Sequence, residues 1–286
     1  MLLPPLVCDP IFVGELNGMD VIQVFGYLGA LIIGIVLGLI GGGGSILTVP
    51  VLVYLLHTNP VTATAYSLFV VGGASLVGTV RNVQKGRVDY KTALTFAVPA
   101  VISVFSTRKF IVPAIPENIL TLGDFTLTKE IGIMVIFALL MLAASISMVR
   151  DSKSMIKKQT QEKSSVNYSL LLLLGLLTGV VTGLVGAGGG FIIIPILVLL
   201  AELSMKKAVG TSLFIIAMNS LLGFLGDVGH LDINWKFLLT FTAIAIIGIF
   251  IGFWLNKFID GKKLKKGFGW LVLIMGMYIL VEELFI

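Results

Sequence analysis

Two glycine runs are places where backbone rather than side chains could do chemistry: Gly41, Gly42, Gly43 and Gly44 followed by Ser45, and Gly186, Gly188, Gly189 and Gly190 interrupted by Ala187. Consecutive glycines weaken a helix and free backbone N–H groups. At membrane depth such groups survive only where protein or a water-filled cavity meets them. A short helix starting after each run would aim unpaired N–H groups and a positive dipole end into that cavity, with Ser45 expected as an N-cap. Helix ends of this kind attract anions. Pro50 and Pro195 follow the two runs at the same spacing and are expected to be structural; the register leaves open a helix that begins only at the proline. The glycines could instead serve close helix packing. A nucleotide loop fits poorly, because Gly41–Ser45 lacks the lysine of a P-loop and Phe191 stands where a dinucleotide fingerprint needs Gly or Ala.

Hydroxyls also suit an anion's oxygens, and among the polar residues of the apolar spans, Ser75, Thr79, Asn219 and Ser220 included, Ser67, Thr211 and Ser212 are the expected ligands. Arg81, Asn82 and Lys85 lie near the end of one apolar span, and Asp227 with His230 near the end of another. They fit gates or ordinary interfacial charges. His57 and His230 have no carboxylate and cysteine cluster beside them, so no metal site is expected. Cys8 is the single cysteine and supports neither a disulfide nor a redox pair. Between residues 21 and 80 there is no Asp, Glu, Lys or Arg, so no buried carboxylate relay is visible. No zincin motif, carboxylate pair or nucleophile with a base beside it points to an enzyme, and no cofactor is implied.

The elements that must position these residues are membrane spans. Of 286 residues, 57% are hydrophobic and 12% charged, about half the charged share of a soluble domain. The net charge of +5 sits in short clusters between apolar stretches, a pattern of membrane orientation rather than of nucleic-acid binding. Met1 to Asp20 has no Lys or Arg, so a cleaved leader is not expected.

The chain also contains itself twice. Gly41 falls on Gly186, 145 residues later, and the register carries Pro50 onto Pro195 and Ser67-Leu68-Phe69 onto Ser212-Leu213-Phe214. The expected organisation is an N-terminal membrane repeat at 1–149, a basic linker at 150–166 and a C-terminal repeat at 167–286. The fold class is an all-α integral membrane protein in which each repeat is a glycine-broken helical hairpin followed by three transmembrane helices.

Lys and Arg positions arbitrate between a hairpin and a mere kink at each break. With both breaks as re-entrant hairpins and the N-terminus outside, the connections 81–91, 150–166, 202–207 and 257–266 hold 16 of the 20 basic residues and become cytoplasmic. With both as single crossings the split is 10 against 10 and carries no orientation signal. The positive-inside rule thus favours a hairpin in the second half, and repeat symmetry extends it to the first. Five crossing pieces per half invert the second repeat relative to the first. Both termini then lie on the outer side of the cell (inner) membrane. Inverted repeats with broken helices are a recurrent transporter plan, in which one half rocks against the other around a midplane site.

The glycine segments ending in proline, together with Ala65-Tyr66-Ser67-Leu68-Phe69, Gly210-Thr211-Ser212-Leu213-Phe214 and Gly86-Arg87-Val88-Asp89-Tyr90, resemble the sulfite exporter TauE/SafE family. The second half departs from the last of these elements, reading Leu231-Asp232-Ile233-Asn234-Trp235. The resemblance implies a permease for sulfite, a sulfonate or another small sulfur-containing anion. A small anionic substrate and the bilayer are the expected partners. An anion channel using the same helix ends is the competing expectation.

Overall fold

The computed structural model describes residues 21–122, 125–149, 167–258 and 261–285; the N-terminal 20 residues and the expected linker 150–166 lie outside them. Among the described residues ten helices follow in two sets of five. The first set is α1 (Val21–Ile40), the short α2 (Gly44–Leu55), α3 (Pro60–Gln84), α4 (Tyr90–Ala114) and α5 (Lys129–Val149). The second is α6 (Tyr168–Val185), the short α7 (Gly190–Leu199), α8 (Met205–Phe224), α9 (Trp235–Leu255) and α10 (Gly261–Phe285). Eight of them are long and apolar enough to cross a membrane, and α2 and α7 are apolar but too short. One departure from an all-helical chain is an antiparallel hairpin of β1 (Asn118–Leu122) and β2 (Phe125–Thr128) in the α4–α5 connection, where Ile, Leu, Thr and Phe favour extended backbone.

Short polar residues set the helix starts. Asn59 Oδ1 accepts from Val61 N ahead of Pro60 in α3, Asp89 Oδ1 from Thr92 N in α4, Asn167 Oδ1 from Leu170 N in α6, and Asn234 Oδ1 from Phe237 N in α9. Asp89 and Asn234 occupy matching positions of the two halves. The departure at Leu231–Trp235 therefore leaves the capping role intact, because an Asn oxygen accepts as an Asp oxygen does. The short helices end alike as well. His57 and Glu202, again matching positions, adopt left-handed φ values of 50° and 52°, and Thr58 N donates to Leu52 O as Leu203 N does to Leu197 O.

Small residues decide the packing. On α6, Gly175, Thr178, Gly179, Thr182 and Gly183 are buried while Leu172, Leu173, Leu176 and Leu177 face outward. A helix in lipid gains nothing by hiding leucine, and close backbone approach becomes the source of contact energy. Gly179 sits on Ala100 and Ser103 of α4, and Gly183 on Val104 and Thr107. In the same way Gly34 of α1 sits on Ala245 and Gly248 of α9, and Gly38 on Ile249 and Gly252. Both pairs run parallel, and each matches the other position for position at the 145-residue offset. The matching helices α3 and α8 instead lie antiparallel, with Gly72 against Leu221 and Gly78 against Leu213. In the first half the chain reverses at the glycine run, since Gly44 lies on Leu37, Gly29 on Val51 and Gly26 on Leu56.

Candidate functional site

Helical conformation begins at the glycines themselves. Tight 3₁₀ turns run from Gly42 to Leu47 with Gly41 at the cap position, φ 81°, and α7 starts at Gly190 after left-handed Gly186, Gly188 and Gly189. Four of these six glycines need positive φ, which explains the residue type. Two expectations are corrected. Ser45 is not an N-cap: it lies inside the 3₁₀ segment and its Oγ donates to Gly42 O at 2.8 Å. The proline is not the start of either short helix: Pro195 lies inside α7, and Pro50 lies between the helical residues Thr48–Val49 and the π turn Val51–Leu55.

The two breaks meet. A Cβ built on Gly42 would stand 2.5 Å from Gly190 Cα, so the two backbones touch. Gly41 faces Ile194 and Val209, and Gly186 lies on the Thr64 backbone of α3. Gly44 packs on the backbone of α1 at Leu37, while Gly43 lies within the 3₁₀ turns. Gly188 borders Val71, Ile216 and the Ser220 hydroxyl, and Gly189 the Thr182 hydroxyl.

The expected hydroxyls divide by what they bond. Ser212 Oγ donates to Val209 O in its own helix, and Thr211 Oγ1 accepts from Asp89 N at 3.0 Å. Tyr66 holds the position in the first half that Thr211 holds in the second, and its hydroxyl accepts from Asn234 N at 2.8 Å. The family-like segments at 65–69 and 210–214 thus tie each repeat to the other by mirrored hydrogen bonds. Ser67 Oγ is fully buried without a partner, as are Ser75 Oγ, Ser220 Oγ, Thr48 Oγ1, Thr182 Oγ1 and both polar atoms of Asn219. A buried hydroxyl or amide left unpaired costs about 1–3 kcal/mol. Ser75 and Ser220 are repeat mates, and Ser220 adjoins a glycine break. The sequence exposed these two as polar residues in apolar spans, but not their lack of partners.

The gate candidates separate to opposite ends. Arg81 stacks over the Phe253 ring at 4.7 Å, Asn82 Nδ2 donates to Gly78 O at 2.9 Å, and Lys85 is exposed. Lost hydration and the nearby charges of Arg81, Arg87 and Lys257 lower the Lys85 ammonium. At the other end His230 is exposed and Asp227 is buried, 3.5 Å from Arg108. Burial pushes the Asp227 carboxyl up from the ordinary carboxylate range, against the pull of Arg108 and His230. Arg108 is a residue the sequence did not single out. Beside Lys109, next to the end of a span, it reads as an ordinary interfacial charge.

Among the described residues no group of three or more His, Cys, Asp or Glu could hold a metal ion. A cleft of about 410 Å³ lined by Asn59, Glu117, Lys129 and Glu130 lies at the start of α3, away from the breaks. Its mixed charges form no convergent site.

The profile of the sulfite exporter TauE/SafE family matches residues 27–279, and so takes in both glycine breaks and both mirrored ties. The chain belongs to the TauE/SafE family. A probable membrane transporter protein of Xylella fastidiosa (strain Temecula1 / ATCC 700964) is 28% identical over 265 residues, covering 87% of this chain and 91% of that protein. The probable membrane transporter protein YunE of Bacillus subtilis (strain 168) is 26% identical over 268 residues, covering 89% and 96%. No solved structure matches the chain. This TauE/SafE chain is therefore a multi-pass membrane transporter, a permease.

Proposed function

We propose that the chain is a secondary transporter for a small anion, sulfite or another sulfur oxyanion or organosulfonate, bound where the two glycine breaks meet. The contact of Gly42 with Gly190, beside the unpaired Ser220 and Thr182 hydroxyls, carries this reading. Backbone N–H groups at the start of α7 and hydroxyls without partners are the donors an oxyanion needs, and they are gathered away from water. Ser67 and the glycines from Gly41 to Gly44 and Gly186 to Gly190 complete the proposed site. Ser45, Thr211 and Ser212 shape it through the bonds they already make.

The repeats are read as inverted, residues 1–149 against 167–286, with α2 and α7 as re-entrant arms that do not cross. The antiparallel run of α3 and α8 supports inversion, and the fold-back of α2 along α1 supports re-entrance. Arg81, Lys85, Arg87 and Lys257 share one end, which supports placing that end and the linker in the cytoplasm of the inner membrane and both termini outside. Gly42, Gly188, Gly190 and Ser220 are all buried, which supports a mechanism in which one half rocks on the other to open the site.

Proteoliposomes preloaded with sulfite test the proposal. Saturable uptake of labelled sulfite driven by counterflow is the expected result. Conductance without counterflow would make the chain a channel, and neither with sulfite, thiosulfate or a simple sulfonate would remove the anion reading.

A further inference from the structure

We propose that Arg108 is an oxyanion-binding residue on the path between the glycine breaks and the Asp227 end, and that the Asp227 carboxylate occupies it until an incoming anion displaces it. The assignment rests on the small-anion reading above and adds to it a second subsite, with a built-in competitor.

Arg108 is 0% exposed, and its nearest ionic partner is a single Asp227 oxygen at 3.5 Å. Nε, Nη1 and Nη2 have no hydrogen-bond acceptor within normal reach, and neither has Asp227 Oδ2 a donor. A guanidinium carries five N–H donors in a planar fork. Burying one costs several kcal/mol unless geometry and further bonds recover it, and here those bonds are not made. A purely structural arginine would spend its donors on backbone carbonyls. This one keeps them free and faces a carboxylate, the side-chain equivalent of the substrate's own charged oxygens.

The surroundings hold that pair in place. Arg108 lies in the π turn Thr107–Ile111 of α4, and a Cβ on Gly226 would come within 2.8 Å of Arg108 Cβ, so only glycine lets the end of α8 approach. Other buried polar atoms without partners lie on the same two helices: Ser220 beside Gly188, Asn219 before it in α8, and Thr107 Oγ1 one residue before Arg108 in α4. Toward the opposite end Thr79, Asn82, Thr211 and Ser212 are all hydrogen-bonded. The position matching Arg108 in the second half is Phe253, under Arg81. Among the described residues the buried cation facing a carboxylate therefore lies at one end.

The full-length protein purified in detergent, titrated with sulfite and followed by thermal shift, tests the assignment. Asp227→Asn removes the internal competitor and should tighten sulfite binding roughly tenfold, the worth of one charge-assisted contact. Adding Arg108→Gln should abolish that gain, and adding Arg108→Lys, which keeps the charge but loses the fork, should reduce it. If the Gln variant does not fold, the Lys variant decides. Equal sulfite affinity in wild type and Asp227→Asn, or a gain indifferent to Arg108, would overturn the assignment. Absence of sulfite counterflow alongside an Arg108-dependent gain would instead sink the transport reading and leave this one standing.

Discussion

Gly42 of the first break lies backbone to backbone on Gly190 of the second. The contact joins segments far apart in the chain and brings both broken helices to one place. It leaves no room for a side chain on either partner.

Gly42→Ala should therefore disable transport. The added methyl meets backbone that cannot rotate away, which costs about 1–3 kcal/mol in an already filled interior. Counterflow should be lost while membrane insertion, scored by surface yield, persists. Gly86, with φ 61° and nothing within 4 Å of an added Cβ, is the comparison. Gly86→Ala should bear only backbone strain and keep its transport.

Ser220→Ala removes a hydroxyl that has no protein partner. Melting temperature should stay level or rise, because a buried unsatisfied group is deleted, while sulfite counterflow falls at least several-fold. A drop in stability with unchanged transport would assign Ser220 to packing.

Thr211→Val and Tyr66→Phe break mirrored ties between the halves, Thr211 to Asp89 N and Tyr66 to Asn234 N. Each should lower stability by about 1 kcal/mol, leaving a backbone N–H short of its acceptor. The two effects should be alike and nearly additive in a thermal-melt series, since the sites are separate.

Those ties show how far the sequence could be read. The 145-residue offset located both breaks and both serine-leucine-phenylalanine segments, because duplication preserves spacing even where residue types drift. It could not show that Tyr66 and Thr211 do the same job, since a phenol and a small hydroxyl share an acceptor oxygen and little else. Ser45 was misread as a cap because the sequence gives no sign that helical turns start at Gly42. Arg108 was passed over for a related reason: Asp227 is distant in sequence, and only the packing of Gly226 on α4 brings the two together. The β1–β2 hairpin went unexpected because nine strand residues between two long spans carry little periodic signal.

Sidedness is open to direct labelling. With Cys8→Ser as background, single cysteines at Lys85 and Asp232, both exposed, should react with a membrane-impermeant maleimide from opposite sides, Asp232→Cys from outside and Lys85→Cys only after the cells are opened. Labelling of both from one side would contradict inverted repeats.

The most direct measurement of where the anion binds is anomalous diffraction from crystals soaked in selenite, the heavier analogue of sulfite. A selenium peak beside Gly42, Gly190 and Ser220 is the predicted result. A peak confined to the protein's outer surfaces, with none where the breaks meet, would contradict the account.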